Sequence, residues 1–147
     1  MATIHNEITI SAPVEKIWGI LTHLELLEKY DPTVKKSTLI SSEKTGIGAK
    51  RKVQMLDGKN WFDEKITVFK PNEALTIQLT ECTFPIKGLK HSYSFEKTDN
   101  QVKVKQTMAY TVKFGIIGKL MDVIMIRKQS DAGVKKFFQG LKSYAEN

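Results

Sequence analysis

The segment FGIIGKLMDVIMIRKQSDAGVKKFFQGL (Phe114–Leu141) decides how the rest of the chain can fold. Lys119 and Asp122 interrupt its apolar first half, which is also far shorter than the ~20 residues that a membrane-spanning helix needs. At 100° per residue, the apolar side chains from Ile116 onward fall on one stripe of a helix. The stripe comprises Ile116, Leu120, Val123, Ile124, Val134, Phe138, Leu141 and Ala145. The pattern predicts a long amphipathic helix, Ile116–Glu146, that lies against another layer of the protein.

The N-terminal residues predict a strand followed by two short helices. From Thr3 to Ile10, apolar and polar residues alternate, which is typical of a half-buried strand. Ser11-Ala12-Pro13 then changes the pattern, because serine can cap a helix and proline suits its first turn. The apolar residues after Pro13 recur at helical spacing. A second helical segment, Leu24–Tyr30, ends before Asp31-Pro32, where proline disfavours further helix.

Between Pro32 and about Phe114, apolar stretches alternate with turn residues such as Asp57-Gly58. Short connections between successive strands favour an antiparallel sheet. The terminal helix is the large element left to cover one face of this sheet, so the sequence predicts an α+β fold in a single domain, residues 1–147. The six strands predicted here are Val34–Ser42, Ala49–Leu56, Asn60–Lys70, Ala74–Phe84, Leu89–Lys97 and Gln101–Phe114.

The net charge of +7 raises the question of an acidic partner. The basic residues are scattered, however: Lys103 and Lys105 alternate with Val102 and Val104, which is typical of the solvated face of a strand. We therefore expect no specific binding of nucleic acid.

Several kinds of chemistry lack their sequence signals. Cys82 is the single cysteine and the three histidines are dispersed, so we expect no internal disulfide, no metal site and no cofactor. The glycines of Gly46-Ile47-Gly48 lie between strands and not in a phosphate-binding loop, and no serine lies in a nucleophile elbow. The N-terminus lacks the features of a signal peptide, and no stretch is long enough for a membrane span, so we expect a cytoplasmic protein.

The sequence resembles the START-like, or SRPBCC, superfamily in its polyketide cyclase/dehydrase branch. The resemblance covers nearly the whole chain and is carried by Ile10–Trp18, Gly46–Arg51, Glu64, Gly118–Leu120 and Leu141–Lys142. It implies a helix-grip fold, in which a seven-stranded antiparallel sheet wraps around the C-terminal helix and leaves a cavity between them. It also implies binding or processing of apolar small molecules such as lipids, sterols and polyketides. These proteins share no universal catalytic motif, so the resemblance specifies a fold more closely than an activity.

Strand alternation predicts which residues would line this cavity, because neighbouring side chains point to opposite faces of the sheet. Ile66 and Val68, for example, indicate that Phe62 and Glu64 share the apolar face. An apolar lining with a few polar groups is typical of a small-molecule site. The predicted lining comprises Arg51, Met55, Phe62, Glu64, Leu79, Glu81, His91, Tyr93, Gln106, Met108 and Tyr110 from the strands, and Leu120, Ile124, Arg127 and Asp131 from the helix.

Each charged or titratable residue of this set has two explanations. Arg51 and Glu64 can form an ion pair or contact a ligand. His91 can be a hydrogen-bonded core residue or a catalytic base, and a β-bulge would move Glu81 to the outer face. Arg127 and Asp131 are four residues apart on the helix stripe, so we expect them to face the sheet, either as a structural pair or as a ligand anchor.

Three functions follow from these observations. The first is binding of a small, largely apolar ligand, lipid or polyketide-like, in the internal cavity. The second is an enzyme of the cyclase/dehydratase type, with no residue assigned firmly but His91, Glu64 and Glu81 as candidates for acid–base catalysis. The third is an interaction module that regulates a partner protein. The sequence does not decide whether a reaction is catalysed, and it is silent on the oligomeric state.

Overall fold

A seven-stranded antiparallel sheet forms the framework of the protein in a computed structural model that describes residues 2–112 and 127–147. The strands are arranged in the order β1-β7-β6-β5-β4-β3-β2, so that β1 and β2 form the two edges. The strands are β1 (Ala2–Ile10), β2 (Val34–Leu39), β3 (Lys50–Met55), β4 (Trp61–Lys70), β5 (Ala74–Cys82), β6 (Ile86–Thr98) and β7 (Gln101–Val112).

Two short helices connect the edge strands β1 and β2. α1 (Val14–Thr22) follows Pro13, and a 3-10 turn (Leu24–Leu26) continues into α2 (Leu27–Tyr30). The predicted second helix is therefore two elements joined end to end. The predicted order of strand, two short helices and six strands is confirmed, and the remaining differences lie at the ends of the strands.

Side chains and bulges explain where these ends differ. β2 ends at Leu39 and not at Ser42, because the Ser41 hydroxyl replaces a backbone group as the hydrogen-bond partner of β3. This hydroxyl accepts the N–H of Lys50 at 2.8 Å and donates to the carbonyl of Glu43 at 2.7 Å. β6 begins three residues earlier than predicted. Gly88 adopts a φ of 65° at a bulge in its pairing with β7, which lets the strand continue on the other side of the glycine.

The C-terminal helix α3 is described from Arg127 to Glu146. Its buried residues confirm the predicted stripe for this part of the helix; residues 113–126, which include the predicted helix start, lie outside the described residues. α3 packs against β1, α1 and α2, and its Phe137 ring contacts Tyr93 of β6 on the inner face of the sheet, with ring centroids 6.2 Å apart. The buried residues are Val134, Phe137, Phe138, Leu141 and Ala145.

Polar contacts attach the last turns of α3 to the link between β1 and α1. Lys142 Nζ donates to the carbonyl of Thr9 at 2.9 Å, and the N–H of Ser11 donates to Glu146 Oε2 at 2.8 Å. Nearby, Gly140 lies so close to α2 that a Cβ at this position would overlap the backbone carbonyl of Tyr30. Within the described residues, no helix is long and apolar enough to cross a membrane.

Candidate functional site

Six polar or titratable residues, five from the inner face of the sheet and one from α2, come together among buried apolar side chains such as Val53, Ile66, Leu75 and Met108. Five of them are buried and one, His91, is half-buried. Electrostatic interactions link the arginine, the glutamate, the histidine and the two tyrosines. We refer to these residues as the inner polar cluster: Tyr30, Arg51, Glu64, His91, Tyr93 and Gln106.

The ion pair of the cluster joins β3 to β4. Arg51 and Glu64 are direct partners in the strand register and are 5% and 3% exposed. Arg51 Nε donates to Glu64 Oε1 at 2.7 Å, its Nη2 lies 2.6 Å from the same oxygen, and its Nη1 donates to the carbonyl of Leu24 at 3.2 Å. Burial by itself lowers the pKa of Arg51, but the Glu64 carboxylate, together with Tyr30 and Tyr93, outweighs this effect and the pKa is raised. The guanidinium therefore stays charged although it is buried.

Gln106 connects the other polar groups across β6 and β7. Its Nε2 donates to the Tyr93 hydroxyl at 3.1 Å and lies 3.3 Å from His91 Nδ1. Gln106 is 2% exposed, yet its Oε1 has no hydrogen-bond partner among the described residues. The same holds for Nδ2 of Asn6, which is opposite Gln106 in the register of β1 and β7. Buried polar atoms without a partner are costly, so both are suited to a polar atom of a ligand or to an ordered water.

Burial keeps most of the cluster uncharged. It raises the pKa of Tyr30 and of Tyr93, so both phenols stay protonated. Burial lowers the pKa of His91; Glu64 opposes this shift and Arg51 adds to it. A neutral His91 that accepts the Gln106 N–H at Nδ1 carries its proton on Nε2. The cluster therefore combines one balanced ion pair with neutral hydrogen-bonding groups.

The remaining predicted lining residues from the strands lie where alternation places them, with one exception. Leu79, Met108 and Tyr110 are buried, and Met55 and Phe62 are half-buried against the core.

Glu81 is the exception, and the prediction that it faces the cavity is corrected. The pairing of β4 with β5 shifts register between Asp63 and Glu64, so that Glu64 is opposite Leu79 whereas Asp63 is opposite Glu81. The extra residue, Thr80, reverses the alternation, and Glu81 is exposed. It is not part of the inner polar cluster.

The predicted residues of the terminal helix are only partly described. Leu120 and Ile124 lie outside the described residues, as does the side chain of Arg127. Asp131 is half-buried, with 42% of its side chain exposed, and its carboxylate lies 3.1 Å from Lys135 Nζ. Lys135 is thus the ion-pair partner that the structure gives to Asp131.

Tyr30 is the member of the cluster that the sequence prediction missed. Its ring contacts Phe137 and Tyr144 of α3 at centroid distances of 5.7 and 5.9 Å. A signal for it exists, since Leu24, Leu27 and Tyr30 are three residues apart and therefore share one side of the helical segment. Across residues 2–112 and 127–147, no three His, Cys, Asp or Glu side chains form a group that could hold a metal ion.

A sheet that wraps around a C-terminal helix over a buried polar cluster defines a protein with the START-like helix-grip fold. Three solved structures show this fold over nearly their whole length. A START superfamily protein from Mycobacterium smegmatis has a TM-score of 0.80 at 13% identity and covers 98% of this chain and 97% of its own. A protein from Thermus thermophilus has a TM-score of 0.80 at 19% identity, with 97% and 95% covered. The protein XoxI from Bacillus cereus has a TM-score of 0.78 at 17% identity, with 99% and 96% covered. Identities this low show the fold alone.

The sequence itself identifies the family. Residues 1–146 match the family model described as polyketide cyclase / dehydrase and lipid transport, and the chain belongs to this family. No curated protein matches the chain.

Proposed function

We propose that the protein binds a small, largely apolar molecule between the sheet and the C-terminal helix, with the polar end of the molecule at the inner polar cluster. The observation that carries the proposal is Gln106 Oε1, a buried acceptor without a partner among the described residues, in a cluster surrounded by buried apolar side chains. A ligand hydroxyl would satisfy this atom and remove the cost of leaving it unpaired. Membership of a family whose description includes lipid transport supports an apolar ligand.

The charges of the cluster favour a neutral polar end. Arg51 already binds Glu64, and the other polar groups of the cluster are uncharged. A carboxylate placed here would lose its hydration without gaining a free cation from the cluster, which is strongly unfavourable. We therefore propose a ligand that ends in a hydroxyl or carbonyl group, such as a lipid alcohol or a phenolic, polyketide-like ring system, and not a fatty acid.

Acid–base catalysis has weaker support. A neutral His91 can accept a proton, as a cyclase or dehydratase acting beside a carbonyl would require. Its Nδ1, however, is engaged by Gln106, and none of the described carboxylates hydrogen-bonds to it. Glu64 is held by Arg51, and Glu81 lies on the exposed side. This arrangement favours a binding protein over an enzyme.

Two measurements test the proposal. Native mass spectrometry of freshly purified protein, followed by extraction, identifies what co-purifies. Displacement of an environment-sensitive apolar dye by alcohols and acids of equal chain length then tests the charge argument. We expect the alcohols to bind and the acids to bind at least tenfold more weakly (about 1.4 kcal/mol). Absence of dye binding would contradict the proposed cavity, and equal binding of acids would contradict the neutral polar end.

Gln106→Leu tests the residue on which the proposal depends. Loss of one ligand hydrogen bond is worth about 0.5–1.5 kcal/mol, so we expect alcohol binding to weaken by roughly 2- to 12-fold. Gln101→Leu is the matched control, because Gln101 is exposed at the start of the same strand. It should leave binding unchanged. Thermal unfolding of both variants shows whether each remains folded.

A further inference from the structure

A depression of about 280 Å³ lies at the turn between β3 and β4, and its lining includes no residue of the inner polar cluster. Three lysines contribute to its wall, together with Trp61 and Asn60. We refer to it as the turn depression. The lysines are Lys35, Lys52 and Lys59.

The turn depression has an excess of positive charge. Lys52 Nζ lies 3.4 Å from Asp63 Oδ1 and 3.9 Å from the centroid of the Trp61 ring. Lys35 and Lys59, by contrast, form no ion pair with any described residue. The nearby carboxylate of Asp57 accepts the N–H groups of Lys59 and Asn60, each at 2.8 Å, and keeps its negative charge. Three lysines against Asp57 and Asp63 leave one net positive charge at the depression. An anionic group therefore fits the depression.

Further from the turn, beyond the row of Lys52, Asp63 and Glu81, the outer face of the sheet carries a second group of lysines. Lys50 and Lys65 are direct partners in the register of β3 and β4, and Lys90 continues the row through Gln78. Like charges directly opposite each other on a sheet are destabilising. An extended anionic surface along this face would offset this cost, whereas a single small anion in the depression would not reach these lysines.

An exposed apolar side chain accompanies these charges. Leu56 directly follows Met55, which lines the depression, and is 62% exposed. Trp61, which is half-buried and lines the depression, belongs to the residue type that is enriched at the interface between membrane and water. Lysines around an exposed leucine and a tryptophan match the charge and the polarity profile of an anionic bilayer surface.

We propose that the β3–β4 turn docks the protein on an anionic phospholipid surface. Headgroup phosphates occupy the turn depression beside Lys35, Lys52 and Lys59, and Leu56 enters the boundary between headgroups and acyl chains. The inference is independent of what the interior of the protein binds.

Sedimentation with vesicles tests the docking surface. We expect binding to vesicles of equal parts phosphatidylcholine and phosphatidylglycerol, and little binding to phosphatidylcholine alone. Raising the salt concentration from about 0.1 M to about 1 M shortens the screening length from about 10 Å to about 3 Å, so binding should weaken steeply. Equal binding to both kinds of vesicle, or to neither, would overturn the proposal.

Variants locate the contact on the molecule. Each lysine near an anionic surface is worth roughly fivefold in binding, so the double variant Lys35→Gln/Lys59→Gln should bind about 25-fold more weakly. Leu56→Ser should weaken binding as well, with an unchanged salt dependence. The control is Lys97→Gln/Lys136→Gln, which removes the same charge at two exposed positions that do not line the depression. An equal loss in the control would show that net charge alone attracts the protein, and would overturn the proposal.

Two further binding measurements test whether the depression binds other anions. Glycerol phosphate is used as a soluble headgroup, and a single-stranded oligonucleotide as a competing polyanion. If either binds tightly through Lys35 and Lys59 while vesicles do not, the depression serves that anion and the proposal fails. Dye binding in buffer without vesicles should be the same in the lysine variants and the parent protein, which separates this test from that of the interior site.

Discussion

Arg51 and Glu64 illustrate, at the scale of single residues, why a buried charge depends on its partner. Both are direct cross-strand neighbours and almost fully buried, so neither can be solvated if the other is removed. Strand alternation indicated that the two side chains could pair, whereas the carbonyl of Leu24, which accepts from Arg51, could not be foreseen from side-chain patterns.

This burial predicts a non-additive effect of mutation. We expect Arg51→Met and Glu64→Leu each to lower the free energy of unfolding by about 3–5 kcal/mol, because each leaves a buried charge unpaired. The double variant should lose clearly less than the sum of the two. Urea unfolding of the three variants measures the difference.

The exposed pair of Lys105 and Glu96, 2.9 Å apart, is the matched control. Both side chains are about half-exposed, so solvent screens the interaction and Lys105→Met should change the unfolding midpoint very little. Additive effects at Arg51 and Glu64 would contradict the account of a tightly linked buried pair.

At the scale of the elements, α3 packs closely against α2 because the residue of α3 at the contact is a glycine, which has no side chain. Gly140 faces the backbone carbonyl of Tyr30, whereas Gly133, in the same helix, has no atom near the position of a Cβ. The amphipathic stripe was predictable from spacing, but the two glycines are indistinguishable in the sequence. Only the packing of α3 on α2 separates them.

The two glycines therefore predict changes of opposite sign. Alanine is the better helix former, so Gly133→Ala should raise the free energy of unfolding by up to about 1 kcal/mol. Gly140→Ala should lower it by about 1–3 kcal/mol, because the methyl group displaces α3 from Tyr30. Thermal unfolding of both variants measures the signs. Stabilisation by both would show that α3 does not approach Tyr30 as described.

At the scale of the whole molecule, closure of α3 over the sheet buries titratable groups, and the stability of the protein therefore depends on pH. Burial lowers the pKa of His91 below its ordinary value of 6.5, with Glu64 and Arg51 as the charged groups that act on it. The unfolded chain then binds this proton more readily than the folded protein. The stabilisation due to a neutral His91 is complete above about pH 6.5 and is lost as the pH falls below that value.

We expect the free energy of unfolding to decrease between about pH 6.5 and pH 5, and the decrease to become smaller in His91→Gln. His23→Gln is the control, since it removes a histidine that is exposed and lies outside the inner polar cluster. Urea unfolding at a series of pH values makes the comparison. An unchanged slope in His91→Gln would contradict the burial of a neutral imidazole.

The sequence by itself determined the seven strands, the two short helical segments, and the buried stripe through Val134, Phe138, Leu141 and Ala145. These follow from alternation and helical spacing, which are properties of neighbouring residues in the chain. Only the tertiary structure decided that β1 and β2 form the edges and that Tyr30 joins the inner polar cluster. It also decided that Glu81 lies outside, because one bulge in the pairing of β4 with β5 reverses the face of every residue beyond it. Strand pairing and the packing of α3 bring together residues that are distant in the chain, and no local pattern records which distant partner each side chain meets.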